Sequence, residues 1–376
     1  MVAVRLLDRL VLGEVAAATA AATGGGIFVL TAGNLVRQVA GEVAAGRMTA
    51  LQAAEVAALV IPGVIPYALP LGMLTGVLIA FGRLGSQNEL TAMRAGGISL
   101  GRIAAPALAL AGLLSLAAAF INLEVAPRAN TAYRELLRGA AERNPVAAIV
   151  PGELCRAFPG AVLRAGGRTG DRLTDLALWR VDGEGRIIQS LHAREATARL
   201  AEDAAGRRLV IDARDVRVDR RAAGESRAST FVRLERAETV IPLGAAQEGR
   251  RKLRWLTTAE LLRASEEGWD LPAEATAEAR SLSRRDAERQ LHVHLAGAAA
   301  ILALALLAIP LSLRVGRSET LVNAGIGLGV ALGHYLLTAA AGWVPSSAAP
   351  PTLLAWAPTL VVAATGAWLL RRAAAR

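Results

Sequence analysis

Between residues 82 and 102 the chain reads GRLGSQNELTAMRAGGISLGR, a polar island between two long apolar stretches. It offers Glu89, Thr91 and Arg94, followed by Gly96 and Gly97. No Ser-His-Asp set and no carboxylate pair accompanies them, so the chemistry they suit is recognition, not catalysis. Ser86 stands three residues before Glu89, the spacing of a capping box, and the glycine pair is a stop signal. The expected element is a stubby helix over 86–97 with Glu89, Thr91 and Arg94 on its exposed face. Such a helix between two membrane spans suits docking to a soluble partner; an ordinary interfacial loop helix is the other reading.

The remaining reactive side chains are sparse. No GxxxxGK[ST] stretch occurs, and Lys252, the only lysine, has no such context, so the chain does not hydrolyse ATP by that route. His292 and His294 are two apart and diverge on a helix, a poor metal pair. His334 lies inside an apolar block, where an ionisable group is a candidate proton relay or else a neutral partner for a neighbouring helix. Glu14 falls near one end of the first apolar block, where it can reach water or Arg residues or simply hold an interfacial position. Arg37 sits at the other end, with Arg47 beyond it; Arg37 is either a contact for an anionic lipid phosphate or a solvated loop charge. Pro62, Pro66 and Pro70 stand four apart on one helical face, giving a curved helix or a wall that flexes around a cavity. These residues imply no cofactor, no metal and no catalytic group.

The elements that must carry these residues are membrane spans. Of the 376 residues, 53% are hydrophobic, and they come in blocks. Residues 15–36, 56–82, 103–123, 295–313 and 320–370 contain no Asp, Glu, Lys or Arg. A hydrocarbon core about 30 Å thick needs roughly 20 apolar helical residues to cross it, and only a helix closes its own backbone hydrogen bonds there. The last block is long enough for two crossings, split by VPSSAAPP at 344–351. Six spans are expected, near 11–33, 56–81, 103–124, 292–313, 320–343 and 352–370. The first is read as a retained helix, because its run exceeds a secretory h-region and five spans follow.

Arginine orients them. With the N-terminus inside, the inner segments hold Arg5, Arg9, Arg83, Arg94, Arg102, Arg314, Arg317, Arg371, Arg372 and Arg376, whereas the outer short loops hold only Arg37 and Arg47. This asymmetry puts both termini and the polar island in the cytoplasm. The net charge of +10 therefore serves orientation and anionic lipid, and no nucleic-acid partner is implied.

Residues 126–290 are different: charged, with short apolar runs, a single exported domain spliced between spans three and four. The stretches 161–167, 176–181, 186–200, 207–219 and 229–243 read as strands, with DGEG at 182–185 as a tight turn. The apolar phase slips between Ala213 and Val216, the mark of a bulge or of two strands. Together they suggest an antiparallel sandwich or roll. From 257 the pattern turns helical: TTAELLRA opens with a Thr cap and an early Glu, and 273–295 is a charged helix running into span four. The domains are thus 1–125 (spans one to three with the 86–97 helix), 126–290 (β domain with a C-terminal helical segment) and 291–376 (spans four to six).

The segments LDRL (7–10), LPLGMLTGVLIAFGRLGSQNELTAMRAGGIS (69–99), EVAPRAN (124–130), ALLAIPLSLRVGR and the GIGLGVALGHYLL span resemble the LptF/LptG permeases, also called the YjgP/YjgQ family. The resemblance covers almost the whole chain. It implies six transmembrane helices with an inserted periplasmic β-jellyroll. It also implies a permease subunit of an ABC transporter in the bacterial inner membrane, which extracts lipopolysaccharide and passes it to a periplasmic bridge. The implied partners are a cytoplasmic LptB-like ATPase dimer, a second LptF/LptG-type permease and LptC/LptA-like bridge proteins. The 86–97 helix would be the coupling helix, with Glu89 meeting basic groups of the ATPase. Helices one and five would form lateral gates, and Arg37 would be a phosphate contact, although the family often has lysines in that region. GEVAAGRMTALQA (41–53) leans toward LptF and NELTAMRAGGIS toward LptG. Two other classes remain open: a proton-coupled secondary transporter using His334, and a non-transporting scaffold for a periplasmic domain.

Overall fold

The computed structural model of the chain describes residues 2–38, 50–143, 149–158, 160–181, 187–203, 206–221, 229–242, 251–269, 271, 275–315 and 320–375. Two compact units emerge: Met1–Tyr133 with Lys252–Arg376, and Arg134–Arg251.

The first unit is helical. In chain order it contains α1 (Val2–Gln38), α2 (Ala50–Ser86), a short α3 (Glu89–Ala95), α4 (Leu100–Phe120) and the start of α5 (Ala126–Arg143). After the β region come α6 (Thr258–Glu267), α7 (Ala277–Val315), α8 (Thr320–Trp343) and α9 (Pro351–Ala374). Among the described residues six helical stretches are long and apolar enough to cross a membrane: Leu6–Gly33, Leu51–Ser86, Leu100–Leu136, Ala277–Leu313, Gly325–Trp343 and Pro351–Ala374. They match the six expected spans and overrun most of them at the ends, because a helix need not stop where its apolar stretch does. Pro62, Pro66 and Pro70 all lie inside α2, which continues through them. The segment from 126 is helical too, joined to α4 through a π-helical turn, Ile121–Val125. Strand structure therefore begins only at Cys155, and 252–290 groups with the spans.

Small residues decide how these helices meet. Lipid tails are as apolar as leucine, so helices in a bilayer gain by backbone approach rather than by hiding grease. Gly72 and Gly76 of α2 face Thr23 and Thr19 of α1. A Cβ on Gly76 would fall 2.6 Å from the Thr19 backbone nitrogen, and one on Gly72 would fall 2.9 Å from Thr23 Cβ. The Thr19 hydroxyl donates to Met73 Sδ at 3.7 Å. On α4 the buried stripe is Ala104, Ala107 and Ala111, and on α9 Gly366 rests against the backbone of Leu307 in α7. Around these seams Val11, Val15, Met73, Phe81, Ile103 and Ile301 form one core. The far ends of α7, α8 and α9 are held by polar contacts. Arg289 donates to the carbonyls of Val344 (2.8 Å) and Ala341, Ser346 donates to Asp286 at 2.5 Å, and Thr359 donates to the Ala296 carbonyl at 3.1 Å. The expected Thr257 cap forms as a capping box with Glu260, and α6 packs Leu261 and Ala264 on Ala287 of α7.

The second unit is an antiparallel sheet of six strands paired in chain order: β1 (Cys155–Phe158), β2 (Ala161–Thr169), β3 (Arg172–Val181), β4 (Ile187–Asp203), β5 (Gly206–Arg221) and β6 (Ser229–Pro242). All five expected strands are there, and four are longer than expected: β2, β3, β4 and β5 span 9, 10, 17 and 16 residues. The DGEG turn lies outside the described residues. One face carries Leu163, Leu173, Leu178, Leu191, Leu209 and Ile211, all essentially inaccessible. Among the described residues, the cluster they form runs from Ile149 to Ile241, so this apolar side is the core of the unit.

The phase slip expected in β5 is part of a wider feature. Inward apolar residues are spaced by three instead of two at Leu173–Leu176, Ala193–Ala196 and Ala213–Val216. The polar residues between them line up across the sheet, with Thr174 opposite Glu195 and Glu195 opposite Arg214. Asp175 and Asp215 take left-handed φ values of 52° and 50°, a region Asp tolerates better than most residues. A crease thus crosses β3, β4 and β5. Its outer side is bridged by charge: Arg233 to Asp215 at 2.9 Å, Arg194 to Asp215 at 3.5 Å, and Arg236 to Asp212 through both guanidinium arms.

Gly76→Ala is expected to destabilise the detergent-solubilised chain by about 1–3 kcal/mol through overpacking, read as a lowered melting temperature. Gly63→Ala, whose Cβ meets nothing within 4 Å, should melt with the parent; equal melting of both variants would refute the tight α1–α2 seam. Acid should loosen the crease. Hydrogen bonds from Arg236 and Arg233 hold the Asp212 and Asp215 carboxyls below their ordinary value of 3.8. Their stabilising effect is therefore present above that value and is lost as pH falls below it. Pepsin cleavage within 206–242 should rise over that acid window, and the Asp212→Asn, Asp215→Asn double variant should show no such step.

Candidate functional site

The polar island folds as a tight excursion between α2 and α4. At the end of α2, Gln87 N–H donates to the Arg83 carbonyl (3.0 Å) and Asn88 N–H to that of Gly85 (3.2 Å). Asn88 then takes φ 59°, and its carbonyl receives the Ala92 N–H at 2.9 Å to open α3. At the far end Gly97, at φ 83°, donates to the Arg94 carbonyl (2.9 Å) while Ile98 donates to that of Met93 (3.1 Å). This bond pair is a Schellman cap, which needs a residue free to adopt positive φ. Ser99 then caps α4, its hydroxyl accepting from Arg102 N–H at 3.4 Å.

The glycine stop is where the sequence put it, but the expected Ser86–Glu89 capping box does not form. Ser86 is the last residue of α2, and its hydroxyl donates to the Arg83 carbonyl at 2.9 Å. Asn88 caps α3 instead, without a side-chain bond, and the helix proper is 89–95, shorter than the expected 86–97. The left-handed residue needed to reverse the chain wins over the hydroxyl cap.

Two kinds of face result. Leu90 is 6% exposed and joins the helical core, with Met93 and Ile98 packed beside it. Thr91 and Arg94 are exposed and Glu89 is half-buried, and among the described residues none of the three has a side-chain partner. All three lie on the one short helix, anchored from below and open above.

Two ion pairs flank the excursion. Arg83, in the last turn of α2, reaches Glu14 of α1 at 2.5 Å, and Arg102, in the first turn of α4, reaches Asp8 of α1 at 2.7 Å. The sequence put Glu14 within reach of arginines without naming one, and weighed Arg83 and Arg102 only for orientation; the Asp8 pair was missed. The signal was present: Asp8 and Glu14 are the only acids in the first 40 residues.

The other candidates separate. Arg37 is in the last turn of α1, and its side chain lies outside the described residues, as does Arg47. His292 Nδ1 accepts from Trp356 Nε1 at 3.3 Å, while the His294 backbone carbonyl accepts from Asn122 at 3.2 Å beside the π turn. The two histidines thus serve different seams. His334 is on α8, away from α3 in sequence, with its carbonyl accepting from Thr338 at 2.9 Å.

A family model of the lipopolysaccharide export system permeases LptF/LptG matches residues 9–372. The chain belongs to this family. No individual curated protein matches it. An LptF/LptG permease is a transport subunit of the lipopolysaccharide export system, and the six spans and inserted β domain described above are those of a multi-pass membrane protein. α3 is a short helix seated through Leu90, with polar side chains unengaged among the described residues.

Leu90→Ala should unseat that helix. Losing a buried leucine side chain costs about 2–5 kcal/mol, so tryptic cleavage after Arg94 should accelerate by about thirtyfold or more through local opening. Unchanged cleavage would mean α3 does not depend on the core beneath it.

Proposed function

We propose that this LptF/LptG-family chain is the permease subunit of an ABC transporter that draws lipopolysaccharide out of the inner membrane and hands it to a periplasmic bridge. In this reading both termini and α3 face the cytoplasm, and a separate ATPase dimer grips α3 through Glu89, Thr91 and Arg94. A second permease of the same type completes the membrane cavity. LptC/LptA-like proteins receive the lipid from the 126–290 insert, whose sheet presents an apolar inner face to acyl chains. Arg37 contacts a lipid phosphate at the outer end of α1.

The observation that carries the proposal is a short helix, capped at both ends and seated through Leu90, whose three polar side chains are unengaged among the described residues. The family match over residues 9–372 makes a transport partner the natural occupant. The arginine asymmetry of the short loops supports the cytoplasmic side. Exposed apolar side chains on α1 (Phe28, Val29) and α8 (Leu328, Leu332, Tyr335) suit lipid or a second permease at the gates. When ATP closes the ATPase dimer, α3 is pulled, spans α2 and α4 tilt, and the cavity empties upward.

Purification from native membranes should bring along a P-loop ATPase and a second six-span subunit. Placing a like charge in a docking surface costs several kcal/mol. Glu89→Lys should therefore insert normally yet reduce lipopolysaccharide export in a complementation assay by on the order of tenfold or more. Full export by this variant would remove Glu89 from the docking surface.

A further inference from the structure

Resting on that reading, we infer that Asp8 and Glu14 are positioning residues that tie α1 directly to the motion of α3, through Arg102 and Arg83. The two arginines are the charged residues that bracket the excursion, one closing α2 and the other opening α4, and both turn back to the same helix. Asp8 and Glu14 are also the only acids of α1.

Arg83 closes α2, where a cation suits the helix dipole, but the place of Arg102 is not explained by the local needs of α4. Arg102 stands in the first turn of a helix, where the backbone dipole disfavours a cation, so its position costs α4 something that Asp8 offsets. The placement on α1 is specific as well. Six residues of helix separate Asp8 from Glu14, about 9 Å along the axis and about 120° around it. Two anchors at different heights and azimuths fix both the translation and the rotation of α1, which one pair does not.

The apolar seam alone does not do this. Val11 and Val15 pack in the same cluster as Leu90, Leu84 and Ile103. Packed helices slide past one another by small steps, and the Gly72–Thr23 and Gly76–Thr19 contacts resist this only between α1 and α2. The two ion pairs add that resistance at the end nearest α3, so a pull on α3 moves α1 together with α2 and α4. A gate helix would thereby follow the ATPase stroke without a relay through the middle of the membrane.

The test uses the chain purified with its co-purifying ATPase and second permease, reconstituted in proteoliposomes with lipopolysaccharide. Lipid released to an acceptor is measured per ATP hydrolysed. Asp8→Arg or Arg102→Asp alone should lower this ratio by about fivefold, the scale of one half-exposed ion pair, while ATP hydrolysis and subunit retention persist. The swap Asp8→Arg with Arg102→Asp should restore the ratio, and Asp8→Glu should keep it. Glu14 and Arg83 should behave in the same way. Parental ratios in all single variants, or impairment that neither the swap nor Asp8→Glu relieves, would overturn the linkage and leave the permease reading intact. Absence of any ATPase from the purified parent complex would overturn that reading, and the linkage with it.

Discussion

A helix crossing hydrocarbon must close its own backbone hydrogen bonds, and every polar side chain it carries must find a partner or reach its ends. Most of the helical unit follows this constraint; among the described residues the hydroxyls of Thr23, Thr31 and Ser115 and Nδ1 of His294 and His334 are buried without a partner. Its interior seams are made of Gly72, Gly76, Ala104, Ala107 and Gly366, residues that bring backbones together and leave nothing polar to satisfy. Its charges gather at the span ends: Asp8, Glu14, Arg83 and Arg102 at one set, Asp286 and Arg289 at the other. α3 exists where it does because the turn between two antiparallel spans is the one place near the core where backbone and side chains can be polar and still be held by Leu90.

The β unit answers a different constraint, that of a sheet with one wet face. Its strands alternate so that leucine, isoleucine and alanine line one side and are buried there as a single cluster. Long strands bend at a break in phase, and the crease at Asp175, Arg194 and Asp215 supplies one across several strands together. The break inserts polar residues on the outer side, and arginine–aspartate pairs hold the strands in register there.

Much of this was legible in the sequence. Charge-free blocks gave six spans because hydrocarbon thickness sets a minimum length that composition reveals directly. The strands followed from period-two alternation, and the slip between Ala213 and Val216 marked the crease, although one strand read alone could not tell that its neighbours slip in step. The glycine stop of α3 was visible because a Schellman cap demands a residue free to adopt positive φ. The start of α3 was misread: both Ser86 and Asn88 are capping residues, and only the reversal of the chain after α2 selects Asn88. The ion pairs to α1 were hidden for another reason. Asp8 and Arg102 are 94 positions apart, and nothing local announces which of several inner-end arginines an acid will meet.

One more consequence lies in α7. Its 39 residues run unbroken from Ala277 to Val315, about 58 Å at 1.5 Å per residue, nearly twice the roughly 30 Å of hydrocarbon that a span must cross. The surplus is the charged half that begins at Ala277 and carries α6 on Ala287. A rod of this length would act as a lever about the membrane surface. A lean of about 5° among Ile301, Leu304 and Ile309 would move the end of that surplus by about 2 Å, with no joint in between to absorb it.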